Sequence, residues 1–284
     1  MFRSERVDVT KPEDIMRLQT VVEQALSDKS LKLWALVNNA GVAPIGFVDW
    51  MPLDSFRFAM EVNYFGLIAV TQAMLPFLKR HRGSRVVNVS SMAGLLASPG
   101  FGPYAASKHA VEGFAKVKEC LLIDICNLHV LSHLLLIYIC KLHWNPQWFA
   151  KALREEMRPW GVKVTNLNPA FMRTSLIERS IEQANAQLCS ASQEVRAQYP
   201  ETVLQGTAIA IRSVQEDPQQ VVTAIATAVL CADPPKNYYV GKQAAVLRLL
   251  MALPAPVTER LIAWTRDASS CPTQEALASI QRSS

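Results

Sequence analysis

The chain has 284 residues, of which 50% are hydrophobic, 19% charged and 8% aromatic. That balance excludes a disordered or collagen-like chain and supplies apolar material for one sizeable core. The formal net charge is +5, from 29 basic and 24 acidic residues scattered without a run, so the composition points away from nucleic acid.

Cys120, Cys126, Cys140, Cys189, Cys231 and Cys271 form no Cys-x-x-Cys pair. Residues 1–10 are charged and too poor in apolar side chains for a secretory signal. The expectation is a reduced, intracellular setting, cytoplasmic or at the endoplasmic reticulum.

Taken in chain order, apolar strands alternate with helical patterns, which predicts an α/β fold with a parallel sheet. Residues 6–9 (RVDV) read as a short strand. Thr10 and Glu13 have capping-box spacing, with Pro12 in the first turn of a helix that runs to about Leu26. Residues 33–37 (LWALV) form a continuous apolar run, expected of a strand covered on both faces. A long helical region follows over 53–80, then a buried strand at 85–89 (RVVNV) and a helix resuming near Tyr104. Residues 120–140 (CLLIDICNLHVLSHLLLIYIC) are long enough to span a bilayer. Asp124, Asn127, His129 and His133 inside the stretch oppose it, an aspartate at a helix centre costing about 2.5–3.5 kcal/mol on insertion scales. A strand at 162–167 (VKVTNL) and helices at 218–231 and 244–264 complete the reading. His129, His133, His143 and the nearby cysteines match no zinc spacing, so no metal is expected.

Ser91, Tyr104 and Lys108 carry the chemistry. Tyr104 and Lys108 are four apart, so on a helix both face one way. An ammonium beside a phenol lowers the phenol's pKa, which makes proton exchange at neutral pH feasible. Ser91 ends a buried strand, at the edge where α/β sheets place their ligand crevice. A tyrosine–lysine pair alone recurs by chance; its context does not. Asn38-Asn39-Ala40-Gly41 follows the first strong strand, and Asn63-Tyr64-Phe65-Gly66 sits on the next helix. Ser90-Ser91 closes the next strand, Tyr104-Ala105-Ala106-Ser107-Lys108 follows, and PAFMRT (169–174) comes after the strand beyond.

This ordered set resembles the short-chain dehydrogenase/reductase family over residues 8–114 and 151–174. The stretches LREEMRPWGVKV (153–164) and RVVNVSSMAG (85–94), and Tyr238-Tyr239-Val240-Gly241 in the tail, are similar to its retinol, 17-beta-hydroxysteroid and 3-hydroxybutyrate dehydrogenases. The resemblance implies a Rossmann-like doubly wound parallel sheet. It implies an NAD- or NADP-dependent oxidoreductase interconverting an alcohol and a ketone or aldehyde on a small apolar substrate such as a steroid, retinoid or lipid. By position, Tyr104 would be the general acid/base, Lys108 would lower its pKa and hold the nicotinamide ribose, and Ser91 would orient the substrate oxygen. Asn63 would position a proton-relaying water. Asn38, Ala40 and Gly41 would pack on the adenine-side ribose, Asp8 would contact the adenine amino group, and Pro169, Met172 and Thr174 would flank the nicotinamide. Homo-oligomer formation and contact with a membrane surface through the apolar tail are further implied options.

Three departures from that pattern stand out. No Gly-x-x-x-Gly-x-Gly occurs before Asn38, where the family cradles a pyrophosphate at a helix N-terminus. Residues 1–284 therefore read as one domain lacking the first two strands and their helices, with strand 6–9 free to pair directly against 33–37. Second, 117–151 reads as a 35-residue insertion; removing it joins GFAK to ALREEMRPWG as one amphipathic helix. Its first residue, valine, and last, lysine, can be encoded by GT and AG ends, as an in-frame retained intron would be; the alternative is a real membrane-facing or interface loop. Third, Pro169-Ala170 stands where the family has Pro-Gly, at the cost of glycine's backbone freedom. The rival expectation is a catalytically inactive fragment or binding protein that kept the fold's second half.

Overall fold

The computed structural model describes residues 4–96, 98–112, 148–199 and 203–251, together with 253, 257 and 260. Its centre is a four-stranded parallel sheet in the order β1 (Ala35–Asn38), β2 (Arg85–Val89), β3 (Lys163–Pro169), β4 (Asn237–Val240). Each strand follows its neighbour in chain order, and helices make every crossover. Helices α1 (Pro12–Ala25), α2 (Leu53–Met60), α3 (Leu67–Leu78), α4 (Gly102–Glu112) and α5 (Trp148–Met157) precede β3. Helices α6 (Ser175–Ser190), α7 (Gln193–Gln198), α8 (Val203–Ser213) and α9 (Gln219–Leu230) lead to β4, and α10 (Lys242–Met251) follows it.

The strands form where the sequence predicts buried runs. Val86, Val87 and Leu167 are wholly shielded because helices cover both faces of β2 and β3. One face packs Val86 and Val164 with Phe77, Leu78, Leu153 and Met157 from α3 and α5. On the other, Val87 and Leu167 pack with Ala224 and Ala228 of α9. A further cluster joins Ile45, Trp50 and Phe101 to Ile177, Ile181 and Leu204 of α6 and α8.

Residues 6–9 form no strand, and among the described residues nothing pairs with the outer edge of β1. Asp8 instead closes a turn, accepting hydrogen bonds from the Thr10 amide at 3.0 Å and the Thr10 hydroxyl at 2.7 Å. The predicted capping box is replaced: Lys11 is the N-cap of α1, without a side-chain bond, and Pro12 leads the first turn. Val9 seats this turn on the domain. A side chain at Gly66 would meet Val9 Cγ2 at 2.7 Å, so the glycine permits the approach.

The long helical region expected over 53–80 is present as Leu53–Leu78, interrupted by a π-helical turn, Glu61–Gly66. With mean hydropathy 1.2 it has the length and composition to cross a membrane. Its inward residues, among them Ala59, Val62, Val70 and Met74, are buried in the domain, as in a core helix. The stretch 120–140 and most of the 117–151 insertion lie outside the described residues. The last four residues of the insertion, from Trp148, already belong to α5.

Candidate active site

A cavity of about 380 Å³ opens at the carboxyl ends of β2 and β3, within the usual size range for small-molecule sites. Ser91, Tyr104, Lys108, Gly41, Pro169, Met172 and Thr174 all line it. Each arrives for a local reason. Ser91 follows β2 and caps a 3-10 turn, Met92–Gly94, its Oγ accepting from the Ala93 amide at 3.1 Å. That turn presses on α4 at Gly94, where a side chain would meet the Lys108 carbonyl oxygen at 2.8 Å and Glu112 Cγ at 3.0 Å. Lys108 Nζ donates to the Val89 carbonyl at 2.9 Å, which ties α4 to the end of β2.

The electrostatics differ from the expectation for Tyr104. Burial pushes the phenol's pKa up, and the neighbouring Ser91 hydroxyl only partly pulls it back. Lys108 lies 5.9 Å from the Tyr104 ring centroid. Burial lowers the Lys108 pKa to about 8, opposed by the charge of Glu112. Desolvation thus disfavours the charged form of both groups, yet at about 8 Lys108 still keeps its proton, and its positive charge, at neutral pH.

Asn63 sits in the π-helical turn, a device that often re-aims a functional side chain. Its amide nitrogen donates to the Val42 carbonyl and to Ser107 Oγ, each at 2.8 Å, while its oxygen accepts from the Val42 amide at 2.8 Å. It thus braces the loop after β1 against α4. A Cβ on Gly41 would lie 3.3 Å from Asn63 Oδ1 and 3.7 Å from Lys108 Nζ, so this loop passes directly over the lysine.

Asn38 and Asp8 are placed elsewhere, and Ala40 is exposed outside the cavity lining. Asn38 donates to Thr71 Oγ1 and Asn88 Oδ1, each at 2.9 Å, and Asn88 donates to Asn166 Oδ1 at 3.2 Å. Asn166 reaches Glu112 Oε1 at 3.4 Å. This asparagine ladder follows the strand register, since Asn38 pairs with Asn88 and Asn88 with Asn166. Its far end is a fully buried carboxylic acid whose pKa burial pushes up to about 7. Among the described residues no cluster of three or more His, Cys, Asp or Glu could hold a metal ion.

The family model for short chain dehydrogenases matches residues 2–122. Dehydrogenase/reductase SDR family member 9 of Homo sapiens is 31% identical over 269 residues, covering 92% of this chain and 72% of that protein. The chain belongs to the short-chain dehydrogenase family. Retinol dehydrogenase 16 of Mus musculus is 30% identical over 267 residues, covering 91% of this chain and 72% of that one. A short-chain dehydrogenase/reductase from Burkholderia phymatum, in complex with NAD, shares the fold, with a TM-score of 0.56 and 22% identity. That likeness covers 93% of this chain and 76% of the other. The doubly wound α/β architecture and the class, an NAD(P)-dependent oxidoreductase by ancestry, both stand.

Several residues of this short-chain dehydrogenase site escaped sequence reasoning. Asn39, beside the predicted Asn38, lines the cavity, and strand alternation could have singled it out. Leu176, Val221 and Leu247 supply an apolar wall from three helices that no local motif links. Glu112, one turn beyond Lys108, was legible from its i,i+4 spacing.

Proposed function

We propose that Tyr104, Lys108 and Ser91 form the proton-transfer centre of an alcohol–carbonyl oxidoreductase acting on a small apolar substrate. The observation that carries this reading is their convergence in one cavity whose walls are mostly apolar. Tyr104 Oη would give a proton to, or take one from, the substrate oxygen. Ser91 Oγ would hydrogen-bond that oxygen, and Lys108 Nζ would supply positive charge beneath it. The apolar wall favours a retinoid, steroid or lipid-like alcohol, in keeping with the name of the mouse retinol dehydrogenase.

A nicotinamide end of NAD or NADP suits the residues present. Gly41 brings bare backbone over Lys108, and Pro169, Met172 and Thr174 form the facing side. When bound, such a cofactor supplies or accepts the hydride; this chain's own residues orient the substrate and move the proton. Residues 1–284 are read as one domain with 117–151 inserted, because strands on both sides of that segment join one sheet. The cysteine usage supports an intracellular setting. The reading leaves a membrane contact or a homo-oligomer as additions to the site, which is built from one chain.

The decisive variant is Tyr104→Phe, assayed with a secondary alcohol in a chain joined to a Gly-rich nucleotide-binding segment. Turnover should fall by about a hundred- to ten-thousand-fold with cofactor affinity unchanged. Near-normal turnover would overturn the assignment. A second reading, an inactive binding protein, is favoured by the lack of any Gly-x-x-x-Gly-x-Gly in these 284 residues. Titration of the 284-residue chain with NADH and NADPH separates the two, because micromolar binding would remove the ground for inactivity.

A further inference from the structure

Three segments that wall the cavity lie far apart in sequence: the loop after β3, the start of α9, and α10 after β4. All three meet at Glu216. The Glu216 amide donates to the Phe171 carbonyl at 2.8 Å, and the Arg173 amide donates to the Glu216 carbonyl at 2.9 Å, forming a one-residue parallel bridge around Met172. Its carboxylate accepts from the Lys242 amide at 3.0 Å and the Gln243 amide at 3.2 Å, at the first turn of α10. Gln220, in the first turn of α9, donates to the same carboxylate at 3.3 Å.

The first amides of a helix have no partner within the helix, and the helix dipole favours negative charge there. A carboxylate bonded to two such amides makes charge-assisted hydrogen bonds, about twice as strong as neutral ones. The neighbouring backbone is shaped to admit it. Gly241 has φ +106°, and a side chain there would stand 2.7 Å from Glu216 Oε1 and 3.3 Å from Met172 Cε. One residue thus bonds to all three segments that bring Met172, Val221 and Leu247 to the cavity wall.

We propose that Glu216 is a positioning residue that clamps the three walls of the cavity and so sets the fit of an apolar substrate. The clamp rests on the reading that this cavity takes the substrate. Glu216 touches no reacting atom; it acts through the loop after β3 and through α10.

The test compares the 284-residue chain with Glu216→Ala and Glu216→Gln. Hydrogen exchange read by mass spectrometry should quicken about tenfold or more in Glu216→Ala over 171–174 and 241–245, with β1 and β2 unchanged. Glutamine keeps the length and one acceptor oxygen, so Glu216→Gln should fall between wild type and alanine. Calorimetric binding of 2-decanol should weaken about tenfold in Glu216→Ala and less in Glu216→Gln. In an active form the same change should appear as a raised KM for 2-decanol with kcat within a few-fold. Unchanged exchange at both segments, or uniformly faster exchange across the sheet, would overturn the clamp. If wild type fails to bind 2-decanol while the two segments still loosen together, the clamp stands and the substrate reading falls.

Discussion

Strands β1 and β2 are neighbours in register, both rich in branched aliphatic residues, yet they live in different environments. Every residue of β2 from Arg85 to Asn88 is buried, whereas Ala35, Leu36 and Val37 of β1 are only partly so. The faces of β1 are served by α3 and α9, but among the described residues its outer edge is unpaired. Ser91, Tyr104 and Lys108, the proposed proton-transfer residues, hang from the well-covered side, at the end of β2 and on α4. The loop that passes over Lys108 hangs from the less covered strand. The difference teaches that a continuous apolar run reports a strand, while its burial depends on neighbours that the run itself does not encode.

The comparison can be broken by paired truncations. Leu167 in β3 is fully shielded, so Leu167→Ala should cost about 3 kcal/mol, in the range for a core leucine. Leu36 at the edge is partly exposed, so Leu36→Ala should cost roughly half as much. Urea unfolding of the two variants measures both. Equal losses would show that the β1 edge is as well covered as the centre.

A second test concerns the polar interior beside the covered side. Glu112 has a folded pKa of about 7 against an ordinary 4.5, because burial disfavours its charge. Between those values the unfolded chain has released a proton that the folded chain keeps, so stability falls as pH rises from 4.5 to 7. Lys108 behaves oppositely. Its folded pKa is about 8 against 10.5, so the unfolded chain holds more protons in that window and stability rises with pH. Glu112→Gln should remove the acidic-side decline, roughly 3 kcal/mol in all, and deepen the alkaline rise, because the Glu112 charge that opposes the Lys108 shift is gone. Unfolding free energies at about pH 5, 6 and 7 for the decline, and at about pH 9 and 10 for the rise, provide the measurement. An unchanged decline in the variant would assign it to other groups.

Much of this architecture was legible because periodicity and order carry it. The run RVVNV became β2 without adjustment, and Tyr104 and Lys108 fell on one helix as their spacing required. The apolar run at 33–37 became the partly exposed β1 because its edge depends on pairing. Residues 6–9 have the composition of a strand, but Asp8 satisfies its carboxylate locally with Thr10, and a turn results. β4 is four residues long and leaves almost no alternation to detect. The π-helical turn around Asn63 is invisible to a 3.6-residue pattern, since shifted backbone bonds leave composition unchanged. Glu216 was unreadable for a different reason: apart from Gln220, its partners lie some 25 and 45 residues away and are backbone groups, which no side-chain motif announces.

The smallest expected effect lies where the two regions meet. Thr71 on α3 is buried; its Oγ1 accepts from Asn38 Nδ2 at 2.9 Å and donates to the Leu67 carbonyl at 2.7 Å. It therefore ends the asparagine ladder on the β1 side, as Glu112 ends it on the other. Thr71→Val keeps the shape and removes the hydroxyl. Asn38 would still donate to Asn88 Oδ1 at 2.9 Å, so only one of its two amide bonds is lost. The cost should be about 1 kcal/mol, that of one buried hydrogen bond. Asn88 accepts from Asn38 and donates to Asn166 in the middle of the ladder. Asn88→Ala strands both neighbours and should cost two to three times as much. Urea unfolding of both variants decides the point. If Thr71→Val costs as much as Asn88→Ala, the ladder acts as one unit, and the edge strand is bound to the buried centre more tightly than its exposure implies.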